Sequence, residues 1–259
     1  MPSSMSWVII NIVLSDEGFA LADEMVVSHV ETEERMLSAL TDAERDQLRA
    51  LLTKIGTLTV PVLWDKKTKM IVNNESSEII RMFNSAFDQI TGNALDFYPQ
   101  ELRAEIDAAN ERLYANVNNG VYRAGFATTQ KAYESAYDAL FETLDDLDAR
   151  LETQQYLVGE QITEADWRLF TTLIRFDAVY HSHFKVNLRR IEDYPNLSEY
   201  VRELYQVPSV SKTVSFYHIK QHYYVSQRTI NPTQVVPKGP VLDFDRSHER
   251  GRLSRPTKA

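Results

Sequence analysis

The sequence predicts an α/β unit followed by an all-helical unit. Strand-like runs rich in β-branched residues are confined to the first part, as in Ser6–Val13 (SWVIINIV) and Leu58–Trp64 (LTVPVLW). After Asn93 no alternating strand pattern is found before the tail, and apolar residues recur every three or four positions. The expected domains are an α/β domain over 1–92, a helical domain over 93–229 and an extended tail over 230–259.

The α/β unit is expected to contain a first strand, helices and a hairpin. Ser6–Val13 reads as a buried strand, and the charged, Leu-rich stretch from Asp23 to Lys54 reads as one or two helices. Within that stretch Thr41 and Glu44 have the spacing of a capping box. Leu58–Trp64, the polar sequence DKKTK and Met70–Val72 predict a β-hairpin.

Pro61 lies inside the first strand of that hairpin, where it has no N–H for the strand ladder. Two interpretations remain open. The strand lies at a sheet edge, or the Val60–Pro61 peptide bond is a cis bond beside a binding site. The proline alone favours the edge.

The helical unit is defined by apolar periodicity. One stripe at spacings of three and four predicts core packing: Tyr133, Tyr137, Leu140, Phe141, Leu144, Leu147 and Leu151. Pro195 and Pro208 fall where helices are expected to begin. The expected helices span about 99–118, 128–153, 163–182, 196–206 and 208–224.

The composition of the chain argues against several classes of function. The chain has 259 residues, a net charge of −9 and no cysteine. The negative charge argues against nucleic-acid binding, and the missing cysteine excludes disulfides, Cys-ligated zinc and a Cys nucleophile in this chain. Met1–Ser15 is too short to cross a membrane and lacks the features of a signal peptide. We therefore expect a cytoplasmic protein with no membrane partner.

The segment after the hairpin, NNESSEII, predicts a ligand site at a helix start. Ser76 is a candidate N-cap, and the free N–H groups of a helix N-terminus suit a carboxylate or a phosphate. Glu75 is suited to hold a ligand ammonium, so that the pair together can hold an amino-acid head group. An ordinary capped helix explains the same residues.

Two more segments stand out in the helical unit. Thr163 and Asp166 form a predicted capping box, which is a folding signal without a catalytic role. The stretch NNGVYRAGFA contains Asn-Gly, which predicts a break between helices. Tyr122 and Arg123 then lie on a loop and either face a ligand or pack between helices.

The sequence lacks the motifs of metal sites, serine hydrolases and nucleotide-binding proteins. His181 with His183, and His218 with His222, have no third ligand at a suitable spacing, so no metal site is expected. The aromatic cluster around Phe216–Tyr224 reads as packing, with one tyrosine available to line a pocket. There is no G-x-S-x-G, phosphate loop or G-x-G-x-x-G motif.

Taken together, the motifs resemble those of the glutathione transferase superfamily, and in detail its Xi class, the glutathionyl-hydroquinone reductases. The resemblance runs from about Thr57 to about Pro240 and includes several motifs that belong to that class alone. These motifs are TVPVLWDK, NNESSEIIRMFN, NNGVYRAGFATTQ, ITEADWRLFTTLIRFDAVYHSHFK and HYY-x-S-x-x-x-INP.

The resemblance implies a fold, a co-substrate and site residues. It implies a thioredoxin-like domain, with its first βα unit in question, followed by an all-α transferase domain, and it implies glutathione as co-substrate. Val60 and Pro61 match the backbone site for the cysteinyl part of glutathione, and Glu75 and Ser76 match the γ-glutamyl site. Tyr122 and Tyr223 match tyrosines that line the quinone pocket, near Arg123. A small aromatic or quinone-like substrate and a homodimer are also implied.

One departure limits the resemblance. Xi-class enzymes carry a Cys-Pro-Trp-Ala motif whose thiolate attacks the sulfur of a glutathionyl-hydroquinone. This chain has no cysteine, and Ile9–Val13 with DEGF resembles the second strand of the family, so that the family's first strand and helix are expected to be missing. Alternatively, Ser6–Val13 takes the place of the first strand and the topology is rewired. The catalytic residue is therefore unknown. Two hypotheses follow: an enzyme of the superfamily that lacks the reductase nucleophile, or a non-catalytic glutathione-binding or interaction module.

Overall fold

A computed structural model describes residues 61, 63–65, 67–68, 70–92 and 94–253. The expected strand Ser6–Val13, the helices expected over 23–54, and Val60 lie outside these residues. The chain divides into two compact units at the junction of Ile79 and Ile80. Since most of the first unit lies outside the described residues, the expected domain bounds stay a prediction.

The predicted hairpin is present. Strand β1, Leu63–Asp65, pairs antiparallel with strand β2, Met70–Asn73, and Asp65 lies opposite Met70. The turn forms because Asp65 Oδ1 accepts the N–H groups of Lys67 at 2.8 Å and Thr68 at 3.2 Å. The alternatives for Pro61 stay open, since its peptide bond involves Val60.

Helices make up the remaining regular structure of the described chain. The α-helices are α1 Ser76–Ser85, α2 Asp88–Thr91, α3 Arg103–Leu113, α4 Gly120–Gly125, α5 Gln130–Leu151, α6 Glu164–Arg175, α7 His181–His183, α8 Pro195–Tyr205 and α9 Phe216–Ser226. Two π-helical turns continue α3 and α6, Tyr114–Asn118 and Phe176–Tyr180. Short 3₁₀ turns lie at Gln100–Leu102, Ile191–Asp193, Ser211–Thr213 and Arg250–Leu253.

The core follows the predicted stripe of α5. Leu140, Leu144 and Leu151 are fully buried, whereas Tyr133 and Tyr137 are partly buried against the same cluster. Helix α6 is enclosed on nearly every side, which suits its place at the centre of the helical unit. At its start Asp166 Oδ2 accepts the N–H of Thr163 at 2.8 Å, so the predicted capping box is confirmed.

Two helix predictions are wrong in detail. The helix expected from 208 begins only at Phe216, because Ser209 has a φ of +74° and Ser215 caps the N–H of His218 at 3.3 Å. Pro208 therefore begins a turn, whereas Pro195 is the first residue of α8 as predicted.

The Asn-Gly sequence also does not produce a loop. The N–H of Asn119 bonds to Tyr114 O at 2.9 Å, and Arg123 N–H bonds to Asn119 O at 2.9 Å. The π turn absorbs the change in direction while the chain stays helical. Tyr122 and Arg123 consequently lie on α4, and the expectation of a loop is wrong.

The segment from 230 to 249 contains no helix or strand, and Arg250, at the start of the 3₁₀ turn that follows, anchors it. This side chain is fully buried, and its guanidinium donates to Glu203 Oε2 at 2.7 Å, Leu151 O at 3.0 Å and Gln154 O at 3.0 Å. Several charge-assisted hydrogen bonds thus hold the tail against α5 and α8.

Replacing Arg250 by alanine is expected to release the tail. Because the tail can detach and let water reach Glu203, the cost to the free energy of unfolding is limited to about 2 kcal/mol. Limited proteolysis followed by mass spectrometry should show faster cleavage within 230–250. Arg252→Ala is the control, since the exposed Arg252 side chain has one hydrogen bond among the described residues, to Glu152 O at 3.2 Å. Equal cleavage rates in the two variants would contradict the anchoring role.

Candidate functional site

The first candidate site is the start of α1. The N–H of Glu75 bonds to Asn73 Oδ1 at 2.7 Å, and the N–H of Ile79 bonds to Glu75 O at 3.0 Å. Glu75 Oε1 accepts the N–H of Ser77 at 3.3 Å and its hydroxyl at 3.1 Å. Glu75 is therefore the capping residue, and Ser76, which was expected to cap, is the first helical residue.

This arrangement fits an α-amino-acid group. Helix N–H groups with the positive end of the helix dipole attract a carboxylate, and Ser76 is the first residue of that helix. A carboxylate accepts hydrogen bonds on both oxygens, and within the described part of the chain Glu75 uses only Oε1. Oε2 is thus suited to receive an ammonium. Pro61 lies two residues before β1, and its relation to Glu75 stays a prediction.

The second candidate site is a cluster of three tyrosines in the helical unit. Tyr122 on α4 and Tyr223 on α9 have hydroxyl oxygens 2.5 Å apart, and Tyr180, at the end of the second π turn, has its hydroxyl 2.8 Å from that of Tyr223. The sequence predicts Tyr122 and Tyr223 as pocket residues, and the structure brings them into contact. Sequence reasoning missed Tyr180, although it lies inside the quoted motif FDAVYHSHFK.

Aromatic packing holds the three rings. Phe184 lies 5.3 Å from both the Tyr122 and the Tyr180 rings, and 5.9 Å from the Tyr223 ring, between centroids. Gly125 makes this packing possible, because a Cβ there would lie 2.3 Å from Phe184 Cγ. The Asn-Gly-containing segment thus supplies both a tyrosine and the space for the ring that orients it.

The hydroxyls of Tyr122 and Tyr180 are protonated at neutral pH. Burial, reinforced by the neighbouring tyrosines, raises the pKa of Tyr122 and of Tyr180 well above the usual value. Three hydroxyls carry three protons, and the two hydrogen bonds of the cluster use two of them. One proton is left for donation to a ligand oxygen. Tyr122 is the most accessible of the three, so it is the natural point of contact.

Arg123, the third predicted pocket residue, lies on α4 beside Tyr122 but is exposed. Its guanidinium donates to Ala115 O at 3.4 Å, and its described contacts do not include the tyrosine cluster. Its place in a substrate pocket stays a prediction.

The histidines have other partners. His183 Nε2 lies 2.8 Å from Gln227 Oε1, and its ring packs on Tyr224 with centroids 4.6 Å apart. Burial, and then the charge of Arg175, lower the pKa of His222. In the described part of the chain no group of three acidic or histidine side chains is placed to hold a metal. None of the helices described there is long and apolar enough to span a bilayer.

Known proteins resemble this chain in sequence and in fold. The family described as "Glutathione S-transferase, C-terminal domain" matches residues 130–203. Glutathionyl-hydroquinone reductase PcpF of Sphingobium chlorophenolicum is 49% identical over 234 residues, covering 90% of this chain and 72% of PcpF.

Two solved structures share the fold. The glutathione-bound structure of YqjG, a glutathione transferase homolog from Escherichia coli K-12, has a TM-score of 0.74 and 53% identity, covering 76% of this chain and 64% of that chain. A Xi class transferase from Natrialba magadii has a TM-score of 0.73 and 47% identity, covering 75% and 60%. The chain therefore spans less than two thirds of the length of both solved chains.

One shorter match is to a protein whose name is that of a transcriptional regulator. The HTH-type transcriptional regulator PecS of Dickeya dadantii is 48% identical over 46 residues, covering 18% of this chain and 28% of PecS.

The fold and these identities define a glutathione transferase. Within that superfamily the chain belongs to the Xi class, whose curated relatives include glutathionyl-hydroquinone reductases. The resemblance drawn from the sequence is confirmed, as is the fold class. The cysteine on which the reductases of this class depend is absent from these 259 residues.

Proposed function

We propose that this protein binds glutathione at the start of α1 and a small aromatic, quinone-like ligand at the tyrosine cluster. The observation that carries the proposal is the hydrogen-bonded set Tyr122, Tyr180 and Tyr223, which retains one hydroxyl proton for a ligand oxygen. A hydroquinone presents such an oxygen on a flat ring, and the PcpF relative is named for the glutathionyl-hydroquinone it reduces.

Glu75 and Ser76 support the glutathione part of the proposal. The γ-glutamyl end of glutathione is an α-amino acid group, with one ammonium and one carboxylate. Glu75 Oε2 is suited to the ammonium, and the N-terminal turn of α1, beginning at Ser76, is suited to the carboxylate. Val60 and Pro61 are assigned to the cysteinyl part by family likeness. The relative YqjG has glutathione bound in its solved structure, which agrees with glutathione as the ligand.

The chemistry of this chain is then more limited than that of a reductase. The reductase cycle needs a thiolate that attacks the sulfur of the glutathionyl-hydroquinone, and no residue of this chain supplies one. We therefore assign binding of both ligands to this chain and leave the nucleophile unassigned. A second candidate function, a non-catalytic glutathione-binding or interaction module, is favoured by the same lack of cysteine.

Assembly and location follow from family likeness alone. We propose a homodimer, as is usual for transferases of this superfamily, and a cytoplasmic location.

Calorimetric titration of the purified chain with glutathione tests the site at α1. Glu75→Gln keeps the size of the side chain and an oxygen for the cap, and it removes the charge that would hold the ammonium. We expect glutathione to bind about tenfold more weakly to this variant. Glu101→Gln, on the 3₁₀ turn before α3, is the matched control and should bind as the parent chain does.

A glutathione analogue without the γ-glutamyl amino group separates the contact from a folding effect. The analogue should bind the parent chain and Glu75→Gln equally. Equal loss of both ligands would assign Glu75 to the stability of α1, and unchanged glutathione binding in the variant would remove it from the site.

A further inference from the structure

Arg175, at the end of α6, is a largely buried cation that has no acidic partner among the residues the structure describes. Its residue is 8% exposed, and its guanidinium has one described hydrogen bond, from Nη1 to the carbonyl oxygen of Thr171. Other buried arginines are paired: Arg202 with Glu192, and Arg250 with Glu203. A guanidinium has five N–H donors, so one described hydrogen bond leaves several of them available. Within the described chain, then, Arg175 has capacity for an anion.

The surroundings of Arg175 show where that anion would lie. A cavity of about 10 Å³ is lined by Arg175, the three tyrosines, Asn118, Thr171 and Thr172. This volume accommodates a single water-sized group, such as one oxygen atom, and not an aromatic ring. The lining contains neutral hydroxyl and amide groups and no carboxylate.

Neighbouring titratable groups do not cancel the charge of Arg175. Tyr122 and Tyr180 are protonated at neutral pH, as described above. His222 has a lowered pKa, chiefly through burial and then through the charge of Arg175, so it is neutral at neutral pH. In the described chain the positive charge beside the cavity is therefore uncompensated.

We propose that Arg175 and the tyrosine cluster form a phenolate site, which takes the phenolic ligand with its oxygen deprotonated and seated in this cavity. This inference rests on the proposed function, and it specifies the charge state of the ligand. The oxygen accepts the spare hydroxyl proton of the cluster as a hydrogen bond, and Arg175 supplies the counter-charge. A neutral phenol that binds in this way releases its proton to solvent, and no other bond changes.

Selectivity follows from this arrangement. A phenol whose ring substituents make it acidic binds at a smaller cost of deprotonation than a less acidic phenol. A methyl ether of the same ring cannot present an anionic oxygen and gains nothing from Arg175. The site therefore favours acidic phenols and hydroquinones over their ethers.

The test uses 4-nitrophenol, whose phenolate absorbs visible light, and 4-nitroanisole, its methyl ether. Each is titrated into the full chain at a pH where most of the free phenol is protonated. We expect the phenolate band to grow as 4-nitrophenol binds. In Arg175→Met, 4-nitrophenol should bind about 10- to 100-fold more weakly, and 4-nitroanisole should bind unchanged. Arg175→Lys, which keeps a positive charge, should retain most of the phenolate band.

Three results would overturn the inference. The first is that 4-nitrophenol stays protonated when it binds. The second is that Arg175→Met weakens the binding of both probes equally, which would indicate a structural role for Arg175. The third is that neither probe binds and that Tyr122→Phe does not change the affinity for any aromatic ligand, which would show that the proposed aromatic site itself is wrong. The glutathione titration with Glu75→Gln is independent of these results, so the two proposals fail separately.

Discussion

Replacing Asp166 by alanine is expected to lower the free energy of unfolding by about 4 to 5 kcal/mol. This carboxylate is fully buried and accepts four hydrogen bonds. The donors are the N–H of Leu157 at 2.9 Å, the N–H and hydroxyl of Thr163, both at 2.8 Å, and the hydroxyl of Tyr200 at 2.7 Å. Alanine leaves all four donors without this partner in a site closed to water. Urea unfolding followed by circular dichroism measures the loss.

Asp193→Ala is a matched control for the effect of burial. Asp193 has the same relation to the N–H of Arg190, with Oδ2 at 3.0 Å, but its side chain is 40% exposed. Water can replace the carboxylate there, so we expect a loss of about 1 kcal/mol or less. Similar losses in the two variants would show that burial of Asp166 adds nothing to the cap.

Replacing Glu164 by alanine is expected to cost about 3 to 4 kcal/mol. The Glu164 side chain is 1% exposed and accepts hydrogen bonds from Arg81 Nε at 3.0 Å, Asn110 Nδ2 at 2.9 Å and Arg168 Nη1 at 3.3 Å. Asn110 Oδ1 is already buried without a described partner, so the variant would leave this amide poorly satisfied at both ends. Thermal and urea unfolding both report the change.

Asp107→Ala separates the two acidic partners of Arg81. Asp107 lies 2.5 Å from Arg81 Nη2, but its side chain is 52% exposed. An exposed ion pair contributes little, so the expected loss is below about 1 kcal/mol. If Asp107→Ala lowers the free energy of unfolding as much as Glu164→Ala does, the stability comes from the ion pairs of Arg81 and not from burial of the Glu164 carboxylate.

The helical unit was largely predictable because its signals are local. The stripe of α5 and the pair Thr163 and Asp166 depend on residues three or four apart, and both predictions are confirmed. Pro195 and Pro208 show the limit of such signals. The same residue type begins a helix in one place and a turn in the other, because the cap at Ser215 and the left-handed Ser209 decide the second case.

The candidate sites were less predictable because they depend on distant parts of the chain. Glu75 was predicted as a site residue because it lies at a helix start, which is a local feature of the sequence. That Glu75 and not Ser76 caps the helix depends on side-chain geometry, which the sequence does not show. Tyr180 lies within a long helix pattern, where nothing in the sequence distinguishes it from a core residue. The charge of Arg175 stands out in the same pattern, but the sequence does not show which residues it faces. Only contact with α4 and α9 gives them a role.

The π turn at Phe176–Tyr180 has a consequence for how this site changes in evolution. A π turn amounts to one extra residue within a helix, and removing one residue rotates everything beyond it by about 100°. Loss of a single codon before Tyr180 would thus turn its hydroxyl away from Tyr223 while leaving a regular helix behind. The same deletion would also rotate the buried side chains of Phe184 and Val186, so the tyrosine cluster and the packing around it depend together on this one extra residue.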